Sequence, residues 1–133
     1  MNAALPRVFA VVPAAGSGRR MASEIPKQYL PLHGRTVLEH TLERVAAHPA
    51  VRRVVVAVAA EDKRYATLTR PTSAIAVVGG AERCHSVLAG LEGLAAEAAA
   101  DDWVLVHDAA RPCVRLADID RMLRELANHA VGG

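Results

Sequence analysis

An α/β fold with a doubly wound, mostly parallel sheet and helices on both faces is predicted for this chain of 133 residues by three observations. Four short apolar runs, at residues 8–12, 54–59, 75–78 and 103–107, read as strands, and stretches of helical spacing separate or follow them. The first run is apolar throughout instead of alternating, as a strand covered on both faces requires. Hydrophobic residues make up 52% of the chain but aromatics only 3%, so the core must be built from Val, Leu, Ile and Ala, which suits close helix-on-sheet packing.

Taken in order, residues 8–12 form the first strand, which Pro13 is expected to end. Thr36 and Glu39 stand at T-x-x-E spacing, a capping box. Val37, Leu38, Leu42, Val45 and Ala46 then recur at helical spacing up to Pro49, so a helix is predicted over 36–48. Residues 54–59 are apolar and β-branched, a second buried strand, and the charged segment 61–64 begins a short helix or turn. Residues 75–78, closed by Gly79 and Gly80, make the third strand. Val87, Leu88, Leu91 and Leu94 mark the next helix, residues 103–107 the fourth strand, and Ile119, Met122, Leu123 and Leu126 the last helix. Right-handed crossovers, with the fourth strand returning beside the first, give the strand order 3-2-1-4. The topological switch then falls between strands one and four, and the connections 13–20 and 108–112 face each other at the carboxyl ends, where ligands bind in such sheets. The alternation calls for another strand after the last helix, so the chain reads as cut short, with no internal repeat, low-complexity linker or second domain boundary.

Composition excludes several classes. The net charge is only +2 and the basic residues are scattered, which argues against wrapping a nucleic acid. No apolar run is long enough to span a bilayer and the amino terminus does not read as a secretory leader, so a soluble, cytoplasmic protein is expected. Cys84 and Cys113 match neither a C-x-x-C redox motif nor a zinc pattern; they are expected to be free thiols, and spacing suggests no metal-ligand cluster. The histidines His33, His40, His48, His85 and His129 share no spacing that marks a site, and His107 is expected to be packed or hydrogen-bonded.

The chemistry concentrates after the first strand, in Pro13-Ala14-Ala15-Gly16-Ser17-Gly18-Arg19-Arg20-Met21, followed by Pro26-Lys27-Gln28. Small residues admit a ligand close to the backbone, the glycines expose successive N–H groups, and Arg20 and Lys27 add positive charge: a triphosphate cradle. Met21 stands where a dinucleotide fingerprint needs its third glycine, and the Walker spacing is missing. Lys27 and Lys63 are the only lysines. Arg19 reads as a solvated charge. Asp108, directly after the fourth strand in Val106-His107-Asp108-Ala109-Ala110-Arg111-Pro112, suits either a carboxylate ligand for Mg²⁺ or an ordinary turn or cap residue, and Arg111 would face a second anion. Gly79 to Ser86 forms another strand-to-helix junction, fit to read a base edge or simply to cap a helix.

Together, residues 13–28, 79–93 and 106–113 closely resemble, in order and spacing, the 2-C-methyl-D-erythritol 4-phosphate cytidylyltransferases of the non-mevalonate isoprenoid pathway. Arg-Arg-Met with Pro-Lys-Gln-Tyr-Leu, and His-Asp-Ala-Ala-Arg-Pro downstream, separate that family from nucleotidyltransferases in general. The resemblance implies a Rossmann-like nucleotidyltransferase that transfers CMP from CTP to the sugar phosphate and releases pyrophosphate. It implies that Ala14, Ala15, Gly16, Ser17 and Gly18 line the CTP site, that Arg20 and Lys27 stabilise the transition state, and that Gly80, Ala81 and Ser86 lie at the cytosine. Many relatives carry an acidic residue where Ala81 stands, so a contact there would come from backbone. It further implies that Asp108 holds Mg²⁺, that Arg111 helps place the methylerythritol phosphate, and that the full-length protein is a homodimer. Family members continue beyond this length with further strands, a dimerisation arm and more acceptor-binding residues. Residues 1–133 are therefore expected to be the nucleotide-binding part of a single domain. A cytidylyltransferase for another polyol phosphate such as ribitol 5-phosphate, or a chain that binds CTP without turnover, are the competing readings.

Overall fold

A computed structural model describes residues 7–15, 25–99 and 101–126. The strands and helices are β1 (Val8–Ala14), β2 (Pro31–Leu32), β3 (Arg35–Thr36), α1 (Val37–Ala46), β4 (Val51–Val58), β5 (Ala74–Val78), α2 (Arg83–Leu94), β6 (Trp103–Val106) and α3 (Leu116–Leu126). Single 3₁₀ turns lie at Lys27–Tyr29 and Tyr65–Thr67. The main sheet is parallel with order β5-β4-β1-β6, the order expected from the sequence.

Alternate residues of the central strand β1 face two separate layers. Val8, Ala10, Val12 and Ala14 join Leu38, Leu42 and Val45 of α1 and Ile119 and Leu123 of α3 on one face. Phe9 and Val11 join Val55 and Leu94 on the other, under α2. The backbones of α2 and β1 approach so closely that a Cβ on Gly90 would stand 2.5 Å from Val11 Cγ1, which only glycine avoids. Among the described residues, no helix is long and apolar enough to cross a membrane.

Local sequence explains the elements and three departures from expectation. Pro13 does not end β1: the strand continues to Ala14, with Pro13 opposite Ala57 of β4. Pairing with β6 stops at Val11, whose carbonyl accepts from His107 N at 3.0 Å. The N–H that proline lacks would alternate onto that same unpaired side, so no ladder bond is lost. A two-stranded hairpin, β2 with β3, also occupies a stretch that reads as loop in the sequence. Its two-residue turn places His33 at φ 52° and Gly34 at φ 81°, the positive pair that a primed turn demands. Finally, β4 starts at Val51, three residues before the apolar run, and α1 stops at Ala46.

The Thr36–Glu39 capping box forms as its spacing predicts: Glu39 N donates to Thr36 Oγ1 at 3.1 Å and Thr36 N to Glu39 Oε1 at 2.8 Å. Glu39 also accepts from Thr69 N at 2.8 Å, tying α1 to the chain before β5. Burial alone would raise the Glu39 pKa, but the bonds from Thr36 and Thr69 outweigh it and hold the carboxyl below its ordinary 4.5. A depressed carboxylate contributes stability that is present above its unfolded pKa and lost as pH falls through the lower folded value. Glu39→Ala is therefore expected to cost about 1–2 kcal/mol in urea unfolding at neutral pH. The gap from the parent should shrink as pH falls below 4.5. A gap that is constant with pH would contradict this assignment.

Candidate functional site

The described site groups lie at the carboxyl ends of β1, β5 and β6, on both sides of the switch between β1 and β6. At the first of these, Ala14 is buried and Ala15 follows it out of the strand. A Cβ on Gly79, just past β5, would lie 2.5 Å from Ser86 Oγ and 2.9 Å from Ala15 Cβ. Three residues distant in sequence are thereby pressed together, with only backbone at Gly79 between them. Ser86 is buried in the first turn of α2, its N–H donating to Glu82 O at 3.2 Å. Gly80 fits under the next side chain, since a Cβ there would be 2.2 Å from His85 Cβ, and Ala81 is exposed.

Asp108 lies just beyond β6, and its loop is fixed from below: buried Thr41 of α1 donates from Oγ1 to the Ala109 carbonyl at 2.9 Å. Arg83 Nη2 reaches across from α2 to Asp108 Oδ1 at 2.9 Å, and Arg111 Nε donates to Oδ2 at 3.1 Å. The Arg83 bond is the chief cause holding the Asp108 carboxyl below its ordinary 3.8; partial burial opposes it and Arg111 assists. Arg111 thus folds onto the carboxylate of its own loop, while its side chain remains 76% exposed. His107 is hydrogen-bonded, as the sequence suggests, with Nε2 2.9 Å from the Arg111 carbonyl.

Lys27 is exposed at the start of the 3₁₀ turn, whereas Gln28 and Tyr29 are buried. Gln28 Nε2 donates to the Ala14 carbonyl at 3.1 Å, which fastens the lysine-bearing turn to the end of β1. Tyr29 Oη donates to Asp62, and burial, with Asp62 adding to it, pushes the phenol well above its ordinary range, so it remains a donor. Asp62 Oδ1 in turn accepts from Arg64 N and Tyr65 N at 2.7 and 3.0 Å.

Of the residues that the sequence singles out, Ala14, Ala15, Lys27, Gly80, Ala81, Ser86, Asp108 and Arg111 all fall on this rim. Gly16, Ser17, Gly18, Arg19, Arg20 and Met21 lie outside the described residues. Sequence reading missed Gly79 as the closest approach, Arg83 as the partner of Asp108, and Gln28, Thr41 and Asp62 as the residues that fix the loops. Gly79, Arg83 and Gln28 stand inside stretches that the sequence singles out, without a sign of their particular contacts; Thr41 and Asp62 carry no such signal.

The family model for IspD, 2-C-methyl-D-erythritol 4-phosphate cytidylyltransferase, matches residues 8–133. A 2-C-methyl-D-erythritol 4-phosphate cytidylyltransferase of Vibrio vulnificus (strain CMCP6) is 48% identical over 135 aligned residues, covering 100% of this chain and 57% of that protein. Among solved structures, a 4-diphosphocytidyl-2C-methyl-D-erythritol synthase superposes with a TM-score of 0.81 at 33% identity, over 96% of this chain and 57% of that one. The Francisella tularensis 2-C-methyl-D-erythritol 4-phosphate cytidylyltransferase gives 0.75 at 32% identity, over 93% and 54%. The chain thus spans little more than half the length of these relatives. With the strand order, the three converging loops and a family match from the first residue of β1 onward, the chain belongs to the 2-C-methyl-D-erythritol 4-phosphate cytidylyltransferase family.

Proposed function

We propose that this chain supplies the nucleotide half of an enzyme that transfers CMP from CTP to 2-C-methyl-D-erythritol 4-phosphate with release of pyrophosphate. The observation that carries the reading is the contact of Ala15, Gly79 and Ser86: the backbone just past β5 packed tightly against the end of β1 and the first turn of α2, beside the start of the phosphate-cradle sequence. That packing fixes the backbone after β5, whose N–H and C=O groups can read the edge of a base, and a triphosphate needs the N–H groups and cations of residues 16–20 and 27. Family membership supports the acceptor, a homodimeric whole protein and a cytoplasmic setting.

The acceptor phosphate is already anionic near neutral pH, so no general base is required. Its oxygen attacks the α-phosphorus of CTP in line; a new P–O bond forms while the bond to the bridging oxygen breaks, and the electron pair departs with pyrophosphate. Arg20 and Lys27 are assigned to the oxygens that gain charge in that step. Arg111 is assigned to the acceptor phosphate, which would draw its guanidinium away from Asp108. The chemistry of Asp108 fits Mg²⁺: each hard carboxylate oxygen accepts one guanidinium bond and keeps another lone pair, and the side chain is 44% exposed. When bound, Mg²⁺ would neutralise phosphate charge. Asp108 would be its protein anchor, with Arg83 holding the carboxylate in place.

Two measurements test the reading. Calorimetry with CTP and Mg²⁺ should show binding, and Gly79→Ala should weaken it about tenfold, because the added methyl must displace Ser86 or Ala15 at an overpacking cost of about 1–3 kcal/mol. Pyrophosphate release should require methylerythritol phosphate and not respond to ribitol 5-phosphate. Binding that Gly79→Ala leaves intact would remove the Gly79–Ser86 junction from the proposal. Release with ribitol 5-phosphate alone would replace the acceptor, and binding without release would reduce the chain to a CTP-binding part.

A further inference from the structure

Glu82, Cys84 and His85 are all exposed around the start of α2, and a carboxylate oxygen, the thiol sulfur and a ring nitrogen lie within 4.8 Å of one another. Sequence spacing suggests no metal-ligand cluster here; the fold makes one. Glu82 is the N-cap of α2, with extended backbone at φ −117° and ψ 160°, so its side chain is not committed to the direction of the first turn. Cys84 Sγ lies 3.8 Å from Glu82 Oε1. Arg83, the one cation within this run, is turned to Asp108 on the far loop at 2.9 Å. Gly80 provides the room for His85, since any Cβ there would stand 2.2 Å from His85 Cβ and 3.0 Å from Cγ.

We propose that Glu82, Cys84 and His85 form a surface site for a borderline divalent cation of the zinc class, with the fourth position open to solvent. Sulfur and imidazole select such an ion over Mg²⁺, which prefers oxygen ligands alone. With Zn–S near 2.3 Å and Zn–N near 2.0 Å, tetrahedral donors sit roughly 3.5 Å apart. The three exposed side chains therefore need to close by only about an ångström, a rotamer adjustment. Binding transfers the thiol proton to solvent, so affinity rises with pH. An ion held there would tie the loop that follows β5 to the first turn of α2, next to Ser86. Its ligands alternate along the chain with Arg83 and Ser86 of the proposed nucleotide site, but none of the three is assigned a part in the proposed reaction or in holding its Asp108 magnesium.

Co²⁺ titration of the chain tests it, with Zn²⁺ then added as displacer. The expected result is a thiolate-to-cobalt charge-transfer band with tetrahedral d–d absorption at one equivalent, removed by Zn²⁺ and insensitive to excess Mg²⁺. Cys84→Ser should abolish the charge-transfer band, His85→Ala should weaken binding at least about tenfold, and Cys113→Ser should change neither. In the unsubstituted chain, Zn²⁺ should slow alkylation of Cys84 but not of Cys113, which keeps the test independent of any variant's folding. The proposal is overturned if the band is missing, survives Cys84→Ser or disappears in Cys113→Ser, or if Zn²⁺ leaves Cys84 alkylation unchanged.

Discussion

Lys27→Ala is expected to lower the turnover of pyrophosphate release by about 10²–10³-fold, the loss seen when one preorganised donor to a developing charge is removed. CTP affinity, read by calorimetry, should change by no more than about threefold, because in the proposed step the ammonium acts on charge that grows only as pyrophosphate leaves. The structure shows how the turn that carries this exposed side chain is held. Its turn is held by Gln28 to the Ala14 carbonyl and by Tyr29 to Asp62, so the backbone at Lys27 is placed by buried neighbours on either side of the sheet end. Lys27→Arg keeps the charge but changes its shape and reach, and should restore only part of the rate. An undiminished rate, or a loss confined to CTP affinity, would remove Lys27 from the transition state.

Phe9→Ala is expected to destabilise the fold by about 3–5 kcal/mol in urea unfolding. That is a large share of the roughly 5–15 kcal/mol that holds a domain together. Phe9 is the only phenylalanine of the chain and is fully buried in the layer under α2. Its neighbours there are Val11, Val55 and Leu94, with Val77, Ala98 and Val106 at the margin. Short, mostly β-branched side chains cannot swing in to fill an emptied ring-sized space, so the cavity stays. α2 also carries Arg83 and Ser86, so CTP affinity should fall with stability, whereas Phe9→Leu should lose much less of both. A cost under about 1 kcal/mol for Phe9→Ala would mean that α2 rests on other contacts.

Periodic and short-range signals in the sequence match the structure. The apolar runs found β1, β4, β5 and β6, the T-x-x-E spacing found the start of α1, and Val87, Leu88, Leu91 and Leu94 found α2. Each depends on residues within a turn or two of one another, where steric and hydrogen-bonding rules act without help from the rest of the fold. Pro13 does not end β1 as the sequence predicts, because whether a missing N–H matters depends on which neighbour strand is still paired at that position. The His33-Gly34 turn was legible in principle, but histidine in the left-handed region is a weaker cue than asparagine.

By itself, the sequence determined that this is a parallel α/β chain with a run of small residues and then a lysine after its first strand, and which family's motifs it carries. Only tertiary structure decided that Arg83 holds Asp108, that Thr41 supports Ala109, and that Gly79 is the point where Ser86 and Ala15 meet. Side chains alternate by rules that a strand or helix obeys alone, but which loop faces which follows from strand order and register across the sheet. Those are set by burying both faces of β1 at once, a property of the packed chain and of no segment within it.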